Sequence, residues 1–155
     1  MNYKKYLPEF VYGSIDGTVT TFAIVAAIAG ANLSPLIVLT LGTANVLADG
    51  FSMASSNYLS ERSKNGKHIR QAIKTSLATF VSFVFIGLVP IFPYILKMSE
   101  PFHKSIILTG ITFICIGYVR GKVSGKNKLQ TALETFFVGS MAALISYVVG
   151  SIFKI

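Results

Sequence analysis

The sequence predicts an all-α polytopic membrane protein with five transmembrane helices and a cytoplasmic N-terminus. Three observations predict it: an apolar composition, five runs long enough to cross a bilayer, and a one-sided distribution of basic residues. Of 155 residues, 52% are hydrophobic and 13% are charged, with a mean hydropathy of +0.63. An ordinary soluble domain carries about 25% charged residues. The formal net charge of +8 raises the question of nucleic acid. However, the lysines and arginines lie in short connectors between apolar runs, where topology signals sit, and no basic, aromatic-studded groove can be traced. The expected surroundings are membrane lipid, with no nucleic-acid partner. The single cysteine, Cys115, lies in an apolar run, so the thiol reads as a small inert side chain and no disulfide framework exists.

A hydrocarbon core about 30 Å thick needs about 20 helical residues to cross it. On that basis residues 1–155 read as one five-helix transmembrane domain. The first span is 11–31. It has lysines ahead of it and Ala27, Ile28 and Ala29 near its end, as a signal peptide would. The run is too long for one, and Asp16 interrupts it, so it reads as a retained helix. The tight turn "NLSP" then places Pro35 at the first turn of the second span, 35–59. After the polar stretch "SERSKNGKHIRQ" comes the third span, 72–96, where Pro90 and Pro93 predict a kink or unwinding. "KMSEPFHK" leads to the fourth, 105–119, and "RGKVSGKNK" to the fifth, 129–153. His68 and His103 fall in connectors and read as surface residues.

Basic residues set the direction. One side of the membrane receives Lys4, Lys5, Arg62, Lys64, Lys67, Arg70, Lys74, Arg120, Lys122, Lys126 and Lys128, and the other receives Lys97, Lys104 and Lys154. Eleven against three puts the N-terminus inside and the C-terminus on the far side.

Three acids fall within spans: Asp16, Asp49 and Glu134. A charge at the bilayer centre costs about 2.5–3.5 kcal/mol on insertion scales, so such groups face a protein interior or a water-filled path. In the second span Asn45, Asp49 and Met53 are four apart, and Ser56 and Ser60 continue the series, with Gly42 three residues ahead. Those spacings share one helical face. In the first span Asp16 and Thr20 are four apart, and Gly13 and Gly17 form a small-xxx-small pair suited to close helix packing. By helical rise, Asp16 lies about 7–8 Å and Met53 about 9 Å inside the same side of the membrane, with Asp49 about 6 Å deeper. Oxygens from Asp16, Asp49 and Asn45 with the Met53 thioether suit Fe²⁺, Mn²⁺ or Co²⁺. A carboxylate can also hold a proton in place of a metal, so Asp16 and Asp49 are candidates for proton coupling. Glu134 is a third such candidate, or else a partner of Lys128 or Arg120.

The residues admit other readings. Met53 can fill a gap, Asn45 can join helices, and Ser and Thr can bond their own backbone. A non-transporting scaffold would tolerate neutral residues at Asp16. An intramembrane aspartyl protease would need two carboxylates sharing a proton, and the 6 Å offset estimated above disfavours it. A transporter of a small organic cation would want aromatic walls, whereas these faces are small and polar. No enzymatic activity and no permanently bound cofactor is expected. Five helices enclose little volume, so two copies could set Asp16 beside its symmetry mate and offer a divalent ion two carboxylates.

The stretches "DGTVTTFAIVAAIAGANLSP" and "LGTANVLADGFSMASSNYLS" resemble the vacuolar iron transporter family, including its short prokaryotic members. The resemblance covers residues 11–60 closely. It implies a homodimer that exports Fe²⁺ or Mn²⁺ from the cytoplasm in exchange for protons, with the path at the dimer interface beside the first helix of each subunit. It assigns the family's first-span aspartate to Asp16 and its second-span methionine to Met53. Plant-type members carry a glutamate eight residues before that methionine; here the position is Asn45, with Asp49 one turn away. Vacuolar members also carry a glutamate-rich metal-binding domain between spans two and three. Here that connection is short and basic. The location this implies is a prokaryotic cytoplasmic membrane.

Overall fold

In the computed structural model, which describes residues 6–64 and 69–154, five helices are long and apolar enough to cross a membrane. They are α1 (Leu7–Gly30), α2 (Pro35–Ser63), α3 (Ile69–Ile95), α4 (Pro101–Ser124) and α5 (Lys128–Ile152). Lys4, Lys5, Lys67 and His68 lie outside the described residues. The apolar runs therefore become helices as their composition requires, since only helices and closed barrels satisfy backbone groups in lipid.

Local signals set most helix ends. Ser34 caps α2, its Oγ accepting the Leu36 N–H at 3.3 Å, and Pro35 occupies the first helical position. Asn127 caps α5 by accepting from the Leu129 and Gln130 N–H groups. Gly125 closes α4 with φ +67°, a left-handed conformation that suits glycine. Pro90 and Pro93 break α3 as expected, giving a 3₁₀ turn at Val89–Ile91. The Pro90 carbonyl accepts the buried Ser105 hydroxyl of α4 at 2.6 Å. The fourth helix is longer than 105–119: it starts at Pro101 and runs to Ser124. Lys104 and Arg120 do not end it, because long basic side chains near a helix terminus can reach water while the backbone stays helical.

α1 is the central helix and packs against α3, α5 and α4, while α2 packs chiefly against α3. The bundle buries hydroxyls beside its apolar core and turns large apolar side chains outward. Ser14, Thr18, Thr21, Thr79, Ser82, Ser105 and Thr109 are buried, whereas Phe51, Phe85 and Ile152 are exposed. Lipid tails are as apolar as leucine, so small residues that let backbones approach take over from hydrophobic burial. Gly13 and Gly17 do this against α3. A methyl added at Gly17 would lie 2.5 Å from the Phe83 carbonyl oxygen. Farther along, Gly30 meets the Tyr147 carbonyl and Gly150 meets the Ala27 carbonyl where α1 crosses α5.

Replacing Gly17 by alanine is expected to destabilise the bundle by about 1–3 kcal/mol, the usual cost of overpacking. Thermal unfolding in detergent, followed by loss of the monodisperse peak, checks this. An unchanged midpoint would mean that α1 does not approach α3 this closely.

Candidate functional site

Three sides of α1 are taken by its neighbours. Asp16 and Thr20 project from a half-buried remainder, and Tyr12 at the start of that strip is exposed. The strip faces the angle between α1 and α2. Asn45, Asp49 and Met53 are likewise half-buried along α2. Asp16 on α1 and Asp49 on α2 are both half-buried, and the two helices are in contact. No hydrogen bond links the two carboxylates, and no basic group pairs with either, among the described residues.

A polar cleft of about 410 Å³ adjoins this pair, between the start of α1 and the end of α2. Met53 lines it, together with Glu9, Tyr12, Asn57, Ser60 and Glu61. Tyr12 is one turn from Asp16 and Met53 one turn from Asp49, about 6 Å along each helix. The cleft therefore leads toward the aspartates on both walls. Glu61 is buried and ion-paired to Lys64 at 2.6 Å. Glu9 has one carboxylate oxygen buried without a hydrogen-bond partner, and so does the Asn45 side-chain nitrogen. Asn57 donates to Thr79 Oγ1 at 2.7 Å, which fixes α2 against α3 beside the cleft.

Sequence reasoning missed Glu9, Asn57 and Glu61. The signal was present: Glu9 is seven residues before Asp16, and Glu61 eight after Met53, both near two turns of helix. Glu9 was passed over because it precedes the apolar run, and Glu61 because it borders a basic connector. Glu134 is exposed on α5, 3.6 Å from Arg120 Nη1 and accepting from Gln130 at 3.2 Å. Gly13 and Gly17 are spent on α3 and do not line the Asp16 strip. Gly42, grouped by spacing with Asn45, is buried against Ile91 instead. A π-helical turn at Val38–Gly42 lies just before the polar series. Among the described residues, no three His, Cys, Asp or Glu side chains converge to hold a metal ion.

The VIT family model matches residues 7–70 and 65–151. The chain belongs to the VIT family. The two matched pieces meet at the connection between α2 and α3. This VIT-family chain is 23% identical to the "Vacuolar iron transporter" of Plasmodium berghei, over 97% of its own length and 83% of the relative's. It is 21% identical to "Vacuolar iron transporter 1" of Arabidopsis thaliana, over 90% and 82% of the two lengths. A shorter match to the "Vacuolar iron transporter" of Plasmodium falciparum is 40% identical, covering 37% of this chain and 21% of that protein. These relatives are transporters by name and not enzymes, and the protease reading falls with them.

The cleft reaches the charged end of α2 at Lys64, so cysteine at Met53 in a Cys115→Ala background is expected to react with a water-soluble maleimide. Cysteine at the fully buried Val46 is expected to stay unlabelled. Mass spectrometry of the labelled protein reads both, and equal labelling would contradict the cleft.

Proposed function

We propose that the protein is a proton-coupled transporter of divalent transition metal, exporting Fe²⁺ or Mn²⁺ from the cytoplasm as a homodimer. The observation that carries this reading is a pair of half-buried acids on contacting helices, Asp16 and Asp49, with no cationic partner among the described residues. A carboxylate held inside a membrane bundle without a cation calls for a proton or a metal ion in its place. The names of the relatives favour iron as cargo.

The metal enters by the cleft, where the Met53 sulfur and the Glu9 carboxylate meet it before Asp16 and Asp49. Amide oxygen from Asn45 completes the path one turn beyond Asp49. Oxygen donors with one soft sulfur suit Fe²⁺ and Mn²⁺. This entry needs no separate metal-binding domain, which the short basic connection could not supply. Among the described residues one copy brings together no three His, Cys, Asp or Glu side chains, which favours a second copy across the exposed Tyr12–Asp16 strip. Proton coupling is assigned to Asp16 and Asp49. Glu134, already paired with Arg120, joins them only if its neutralisation flattens the pH dependence.

Direction follows the eleven-to-three distribution of basic residues, which favours a cytoplasmic N-terminus. The proposed location is a prokaryotic cytoplasmic membrane, on the resemblance to the family's short members. The plant and Plasmodium relatives lend that location no support.

Proteoliposomes loaded with a metal-sensitive dye test the reading under an imposed pH gradient, with Fe²⁺, Mn²⁺, Co²⁺ and Zn²⁺ offered in turn. Flux is expected to follow the gradient. Asp16→Asn and Met53→Ala should each lower it by about tenfold or more, the scale on which disturbing a metal site shows. Glu134→Gln tests the third acid in the same assay. Flux that ignores Asp16→Asn would reject the assignment.

The dimer has its own test. Cysteine at Tyr12, again without Cys115, should cross-link two copies in the membrane under mild oxidation. Monomer alone on a non-reducing gel would remove the second copy from the site.

A further inference from the structure

A second concavity lies on the opposite side of α2 from Asp49 and Met53. It is an apolar groove of about 440 Å³ between α2 and α3. Phe51, Ala54 and Tyr58 form one wall, and Ile73, Leu77 and Phe80 the other. At 3.6 residues per turn, Phe51 and Tyr58 point away from the Asp49 face.

Helical spacing names what stands at the groove's end. Arg62 is four residues beyond Tyr58, and Arg70 is three before Ile73. Each continues the lining face of its own helix. α2 and α3 are consecutive membrane-crossing helices and so run antiparallel, which puts both guanidiniums at the same end. Both side chains are exposed, as is Lys74 one turn farther along α3.

Length decides the occupant. From Arg62 to Phe51 is eleven residues, or about 16 Å of helix. That is half of a hydrocarbon core about 30 Å thick, the depth of one leaflet. A greasy channel one leaflet deep, with two guanidiniums at its interfacial end, has the shape and charge of a phospholipid. The guanidinium fork also matches a phosphate better than an ammonium does.

We propose that this groove holds an acyl chain of an anionic glycerophospholipid whose phosphate is gripped by Arg62 and Arg70. The lipid packs against the α2–α3 pair from the side opposite the candidate metal site. Neither a divalent ion nor transport enters this inference, so it stands apart from the function proposed above.

Native mass spectrometry of the full chain in detergent tests it, with added phosphatidylglycerol, phosphatidylcholine or glycerol phosphate. Phosphatidylglycerol is expected to remain bound, phosphatidylcholine to bind more weakly, and glycerol phosphate, which has no chains, not to bind. Arg62→Gln with Arg70→Gln should weaken phosphatidylglycerol by roughly tenfold or more, from about 1 kcal/mol per basic residue near the surface. Ala54→Phe, which fills the groove and leaves both arginines, should weaken it as well. Arg62 and Arg70 are exposed, so the double variant is expected to fold, and its elution profile checks that. Equal retention of the two lipids by wild type and double variant would overturn the proposal. So would binding of glycerol phosphate alone, or a second copy of the chain found seated in the groove.

Discussion

The close approach of α1 to its neighbours is the constraint on which the rest of the structure depends. Water drives no helix association inside a bilayer, so shape must do it. Gly13 and Gly17 lower α1 onto the α3 backbone, and the Gly30–Gly150 crossing does the same against α5. Because α1 is fully engaged on those sides, its remaining strip is left toward α2, and Asp16 lies on it. The acid is thus held at a fixed height by contacts that do not touch it.

Most of the buried hydroxyls satisfy themselves within their own helix, although Thr21 and Thr109 Oγ1 have no partner among the described residues. Ser14 donates to the Phe10 carbonyl and Thr18 to the Ser14 carbonyl, each at 2.7 Å. Ser76 and Thr135 use the same four-residue return to their own helices. Small side chains that satisfy themselves locally can face another helix closely. Asp16 and Asp49 lack that option, since a carboxylate cannot donate to its own backbone. This separates the self-bonded hydroxyls, which the packing explains, from the two acids, which it does not.

Much of this was legible in the sequence because hydrocarbon thickness imposes a length on every helix. The five apolar runs, Ser34 and Pro35 at the start of α2, and the proline break in α3 all follow from local chemistry. Helix ends were less legible where charge and helix coexist, as at Lys104 and Arg120. Two other features were not readable. The π-helical turn at Val38–Gly42 has no local marker, and the seating of Gly42 on Ile91 is a tertiary contact. Glu9 and Glu61 gain meaning only from the way α1 and α2 converge, which is a tertiary fact.

The self-bonded hydroxyls of α1 have a mechanical consequence. Among the described residues, no side-chain hydrogen bond joins α1 to another helix; Ser14 and Thr18 both bond within it. Ties of that kind connect α2 to α3 through Asn57, α3 to α4 through Ser105, and α4 to α5 through Arg120. The central rod is therefore seated by notches alone, inside a frame that is stitched together. Its position is thus set by shape and not by directional bonds, so a change at one notch moves the whole rod.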